Sequence, residues 1–177
     1  MSERDEPNGR AKKDERHEPS ERDEQKEQEE TAAEALRRTH GARAHSAYDR
    51  ALAACRYAGV DEDAAVTVPR DPVGRAANAL RLSATSLAGL ASSAPDPAAD
   101  ARCARNTAAT AALAAQLAAA HDGSAASASA LRAALAASLA AAGAAGGSTP
   151  GQDPSLNTSA DQAERHAVAT AQAAGWV

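Results

Sequence analysis

The stretch DPAADARCARNTAATAALAAQLAAAHDGSAASASALRAALAASLAAAGAAGG, Asp96 to Gly147, decides the fold class. Alanine dominates it, and alanine is the best helix former because ordering it costs no side-chain entropy. Asp96 followed by Pro97 is a helix start: the carboxylate accepts from the first free N–H groups, and proline has no N–H to waste. Cys103, Leu113 and Leu117 ride on the helix expected from Pro97 to about His121, which Gly123 closes. A second helix is expected from near Ser127, with Leu131, Leu135 and Leu139 at successive i, i+4 spacing. Gly143, Gly146 and Gly147 end it.

The same device precedes this stretch. Asp71-Pro72 opens a helix to about Ser92, on which Val73, Leu80 and Leu87 fall one heptad apart and Leu90 widens the apolar face. Further upstream, ERDEQKEQEETAAEALRRTH contains no proline or glycine. Its acids lead and Arg37-Arg38 follow, the order a helix dipole favours. Leu36, Ala44, Tyr48, Leu52 and Cys55 continue a helical stripe past Gly41, a candidate bend, and Gly59 is a natural stop. Beyond Gly147, STPGQDPSLNTS reads as a flexible connector. Ser159 and Gln162 then make a capping box for a short last helix that Gly175 stops, with Trp176 beyond it.

The segments follow: a disordered charged tail over 1–20, a charged-to-amphipathic helix over 21–58 and a linker over 59–71. An Ala-rich bundle occupies 72–143, a flexible linker 144–158 and a short helix 159–177. The fold class is all-α, a loose Ala-rich antiparallel bundle of three or four helices, coiled-coil-like, behind a disordered charged N-terminal tail.

Alanine contributes 53 of 177 residues, while isoleucine and phenylalanine are absent and leucine and valine number 18. One methyl group buries little surface, so the core should be thin. Self-association or a protein partner would complete it. The leucines Leu80, Leu87, Leu131, Leu135 and Leu139 are the candidate assembly core.

Net charge is −5, and residues 1–30 account for all of it with twelve acids and seven bases. Residues 31–58 carry Arg37, Arg38, Arg43, Arg50 and Arg56 against Glu34 and Asp49. Arg43 and Arg50 lie one heptad apart and could meet successive phosphates, so these five arginines are the candidate contacts for DNA or anionic lipid. The acidic tail would then act as an internal competitor. An acidic chain with no aromatic stacking surface makes nucleic acid the weaker partner.

No catalytic constellation stands out, and no enzyme, cofactor or metal is expected. His40 and His45 are five apart and do not share a helix face. Cys55 and Cys103 have no CxxC spacing, although Arg102 and Arg105 could activate the Cys103 thiol. Ser2 to Glu30 has no apolar signal region, and Ala125 to Gly147 has too few large apolar residues for a convincing membrane span. The expected location is cytoplasmic, with peripheral membrane contact as the variant. Heavy alanine and arginine use without isoleucine or phenylalanine fits a high-GC actinobacterium.

Tyr57-Ala58-Gly59-Val60-Asp61 is similar to the YxxxD pattern of proteins exported by actinobacterial type VII secretion. In that family the pattern follows a helical hairpin. Here it follows the first helix, and Trp176-Val177 ends the chain where a mid-hairpin WxG would stand. In length, Ala/Arg usage and a charged leader before Ala-rich helices, the whole chain resembles accessory transfer and spread proteins of streptomycete conjugative plasmids. That resemblance implies a non-enzymatic factor that helps a plasmid move between hyphal compartments.

Overall fold

The computed structural model describes residues 21–65 and 68–177; the 1–20 tail lies outside the described residues. Five α-helices follow one another: α1 (Glu21–Tyr57), α2 (Pro72–Ser92), α3 (Pro97–Asp122), α4 (Ala125–Ala144) and α5 (Pro154–Ala173). A single 3-10 turn at Glu62–Ala64 precedes α2, and no strand occurs among the described residues. The described residues are all-α, with five helices against the three or four expected for the bundle.

The last helix is longer than expected, for a specific reason. Asp153-Pro154 repeats the Asp-Pro start, and Asp153 accepts from the N–H groups of Ser155 and Leu156. The last helix therefore begins five residues before the anticipated Ser159 cap and reaches 20 residues. Ser159 lies inside it, its hydroxyl donating to the Ser155 carbonyl at 3.0 Å. Asp71 caps α2 through Gly74 N–H, and Asp96 caps α3 through Ala98 and Ala99 N–H. Ser124 caps α4 through Ser127 N–H, so the helix starts at Ala125, two residues before the expected Ser127. Gly59 (φ 69°) and Gly123 (φ 63°) turn the chain at the ends of α1 and α3 in the left-handed conformation that favours glycine.

α1, α3, α4 and α5 close a ring in which α4 lies diagonally across from α1, while α2 lies over α1 and α3. The arrangement is not uniformly antiparallel. Arg37 reaches Asp100 near the start of α3 and Tyr57 reaches Asp122 at its end, so α1 and α3 run parallel. α2 is the return path between them.

Alanine supplies most of the core. Ala44, Ala47, Ala51 and Ala54 on α1 and Ala104, Ala108, Ala111, Ala114 and Ala118 on α3 are fully buried. Both sets repeat every three or four residues, which puts each on one helix face. Methyl-sized side chains allow close backbone approach, so dispersion replaces some of the apolar area that leucine would have buried. Gly41 does not interrupt α1: a methyl there would meet Leu90 of α2 at 3.5 Å, so this glycine marks a close crossing. Residues 21–32 of α1 are exposed throughout and form an acidic helical arm roughly 18 Å long at 1.5 Å per residue.

Candidate functional site

The arginine face of α1 is the candidate surface for DNA or anionic lipid, and the structure turns Arg43 and Arg50 inward. Arg43 is 4% exposed and Arg50 3%. Arg50 holds Glu164 of α5 with two nitrogens, Nε to Oε1 at 3.2 Å and Nη2 to Oε2 at 2.8 Å. Ser46 adds its hydroxyl to the same carboxylate at 2.9 Å. One turn or more away, Arg43 Nη2 lies 2.7 Å from Asp161 and donates to the Asn157 carbonyl. Their heptad spacing therefore serves two acids three residues apart on α5 instead of successive phosphates.

Arg37 does a different job. Its Nε donates to Asp100 at 2.7 Å, and its Nη atoms donate to the carbonyls of Leu90, Ser93 and Ala94. Those oxygens lie at the end of α2, where carbonyls lack helical partners and the dipole favours a cation. Asp100 sits in the first turn of α3, where the opposite end of a dipole favours an anion. One ion pair thus ties α1 to both helices at the α2–α3 corner. Of the five arginines, Arg38 and Arg56 are the exposed ones.

Between Arg37 and Arg43, His40 is 0% exposed, and its Nε2 lies 2.9 Å from the Gly151 carbonyl. With a carbonyl as partner, Nε2 carries the hydrogen, leaving Nδ1 as a bare buried acceptor. Burial pushes the imidazole pKa down, with the Gly151 bond opposing it, so the neutral ring is the native form. The Gly151 carbonyl also accepts from Asn157 Nδ2 at 2.9 Å. Gly151 has φ 79°, and an added Cβ would collide with the Pro97 carbonyl. The expected flexible 144–158 linker is therefore anchored at its centre.

A groove of about 670 Å³ opens between α1 and α5, lined by Thr39, Ala42, Ser46 and Val168 among others. The charges it shares with the α1–α5 ion pairs, Arg43, Asp161 and Glu164, are already paired. Among the described residues no group of three His, Cys, Asp or Glu side chains could hold a metal ion. Cys103, the one candidate nucleophile, is 8% exposed. Burial pushes its thiol pKa up, the direction of an inert core cysteine and opposite to the activation that Arg102 and Arg105 could have given. Both Cys55 and Cys103 are buried.

At the other end of the bundle, Asp122 accepts from Tyr57 Oη at 2.8 Å and Ser127 Oγ at 2.9 Å. Trp176 Nε1 donates to Ser127 Oγ at 3.1 Å, and the Tyr57 and Trp176 rings lie 6.2 Å apart. The Ser124 N–H and then the Tyr57 hydroxyl hold the Asp122 carboxyl down at about 2. Tyr57, the first residue of the YxxxD pattern, and Trp176, which departs from that family's WxG placement, are thus joined in one cluster, and Trp176 is buried.

The five candidate leucines divide. Leu80 and Leu87 are buried inside this single chain, against α1 and α3. Leu131 is half-buried, whereas Leu135 is 40% and Leu139 75% exposed. Among the described residues α4 is the one helix long and apolar enough to cross a membrane, and 33% of that apolar window is buried in the bundle. Asp100, Gly151, Asn157, Asp161 and Glu164 escaped the sequence reading. The available signal was the pair Asp161 and Glu164, whose i, i+3 spacing puts both acids on one face of α5. Compared with known proteins, the chain matches no family model, no curated protein and no solved structure.

Proposed function

We propose that this chain is a non-enzymatic assembly protein, a helical module that works by presenting surfaces to other proteins. One observation carries the reading: the buried charged side chains are spent on ion pairs inside the bundle, while Leu135 and Leu139 of α4 stand 40% and 75% exposed. Arg37, Arg43, Arg50, Asp100 and Glu164 hold helices together, and the buried Cys103 thiol is held protonated. Leu135 and Leu139, by contrast, contribute little to the fold of the isolated chain and much to its surface.

The plasmid-spread role belongs to this proposal and rests on composition and the charged leader. It makes the chain a cytoplasmic accessory that docks on a larger transfer machine. The proposal is tested by site-specific photocross-linking from position 139 in the cells that produce the protein. A discrete cross-linked protein product supports it. Cross-linking to nothing but water and lipid, with a turnover of some small molecule by the purified chain, would replace it with an enzyme. If a specific product forms, deleting the gene should reduce plasmid spread between hyphae while leaving replication unchanged.

DNA or anionic-lipid binding through the arginine helix draws less support, because Arg43 and Arg50 already have carboxylate partners. Arg38 and Arg56 remain at the surface. Retention on heparin at low salt, lost on substituting both, would restore that reading.

A further inference from the structure

We infer that the outer face of α4 is a homodimer seam on which a second copy of this chain docks antiparallel; this rests on the assembly reading and names its partner. The outward positions Ala128, Arg132, Leu135, Leu139 and Ala142 follow one another at alternating steps of four and three. All five are exposed or half-exposed. That is the 3.5-residue period of a two-helix coiled coil, in which each outward residue meets the facing helix. Arg132 is the only charged residue in the whole helix.

The spacing selects both occupant and direction. In an antiparallel pair whose axis passes between Leu135 and Leu139, Leu135 of one copy faces Leu139 of the other, twice. Arg132 then faces Ala142 of the second copy, whose single methyl leaves room for the arginine stem to run across it to water. Large side chains meet large at the centre, and a long one meets a small one at each flank. The two Arg132 charges end up about 15 Å apart at 1.5 Å per residue, beyond the screening length of physiological salt. A parallel pair would instead set Arg132 against Arg132 with no acid on α4 to relieve them. Twofold pairing also closes on itself and leaves no half of the seam open.

An anionic bilayer is a poorer occupant. Surface-lying helices draw on clusters of basic residues, and here one arginine stands on a chain of net charge −5. A seam of about fifteen paired residues is small for a permanent complex and sits at the transient end of interface sizes. The dimer should therefore form at roughly tens of micromolar.

The test is sedimentation velocity on the full chain over rising concentration. A reversible monomer–dimer shift supports the seam, provided that Leu139→Lys weakens it at least about tenfold. Leu139 is 75% exposed, so that variant should keep its helicity and melting temperature. Direction is read by mixing Leu135→Cys chains with Leu139→Cys chains. Mixed disulfides exceeding either self-pair support the antiparallel seam, whereas Leu135→Cys self-pairs in excess overturn it. A monomer up to about 1 mM overturns self-pairing; the cellular cross-link at position 139 then decides the assembly reading separately. A monomer that co-sediments with phosphatidylglycerol vesicles, and loses them on Leu139→Lys, overturns the seam in favour of a lipid surface.

Discussion

The two flanks of α1 are built on opposite principles. Against α3 it presents Ala44, Ala47, Ala51 and Ala54, side chains with no polar atom and almost no freedom to lose. Against α5 it presents Arg43, Ser46 and Arg50, which hold Asp161 and Glu164 across a groove that stays open. The alanine side gains by nearness and tolerates no added volume. The arginine side gains little net energy from burying charge, because desolvation offsets most of the attraction, yet it specifies which turn of α5 sits where. An alanine surface offers few landmarks, since sliding it by one turn presents another methyl. The ion pairs supply the registration that the methyl faces lack.

The heaviest blow should fall on the polar flank. Glu164→Ala leaves Arg50 buried without its carboxylate, and Arg50 Nη1 already has no partner; the expected loss is about 3–5 kcal/mol in urea unfolding. Replacing both partners, Arg50→Met with Glu164→Leu, should recover most of that loss, though α5 should then show broader amide signals. A double variant as unstable as the single one would assign the pair more than a registration role. Gly151→Ala comes next, combining a left-handed backbone with a collision at Pro97, at about 2–4 kcal/mol by the same measurement.

On the methyl flank, Ala108→Leu inserts bulk where α3 is fully buried and should cost about 1–3 kcal/mol. The same change at the exposed Ala136 should leave stability within about 0.5 kcal/mol. Smaller again is the acid response. His40 is neutral in the fold with its pKa below the ordinary 6.5, so the unfolded chain takes up the extra proton. Stability is therefore whole above pH 6.5 and falls as pH drops from there toward the lowered folded value. His40→Gln should flatten the denaturant midpoint over that window. Asp122 acts later: its contribution is present above 3.8 and is lost as pH falls toward about 2, and Asp122→Asn should remove that final decline.

Local punctuation was readable and facing was not. Asp71-Pro72, Asp96-Pro97, Gly59 and Gly123 act through their own backbone neighbours, so a sequence shows them directly. Asp153-Pro154 acts identically but hides in STPGQDPSLNTS, whose composition resembles a linker. The arginines are a different case. Spacing tells which residues share a helix face, and Arg43 and Arg50 do share one. Whether that face meets solvent depends on α5, more than a hundred residues later. In most proteins a leucine stripe settles the matter by marking the inside. In α1 alanine occurs on every side, and in α4 the stripe of Leu131, Leu135 and Leu139 climbs onto the outside instead. The site was missed for the same reason: its acids lie in a segment that read as a short appendage.

The lone indole of this chain rests on Ser127, where the end of α5 returns to the junction of α3 and α4. Its light emission is therefore a built-in gauge of whether the final helix is seated. Any event that lifts α5, from acid to a competing partner, should shift that emission to the red before the far-ultraviolet helix signal changes.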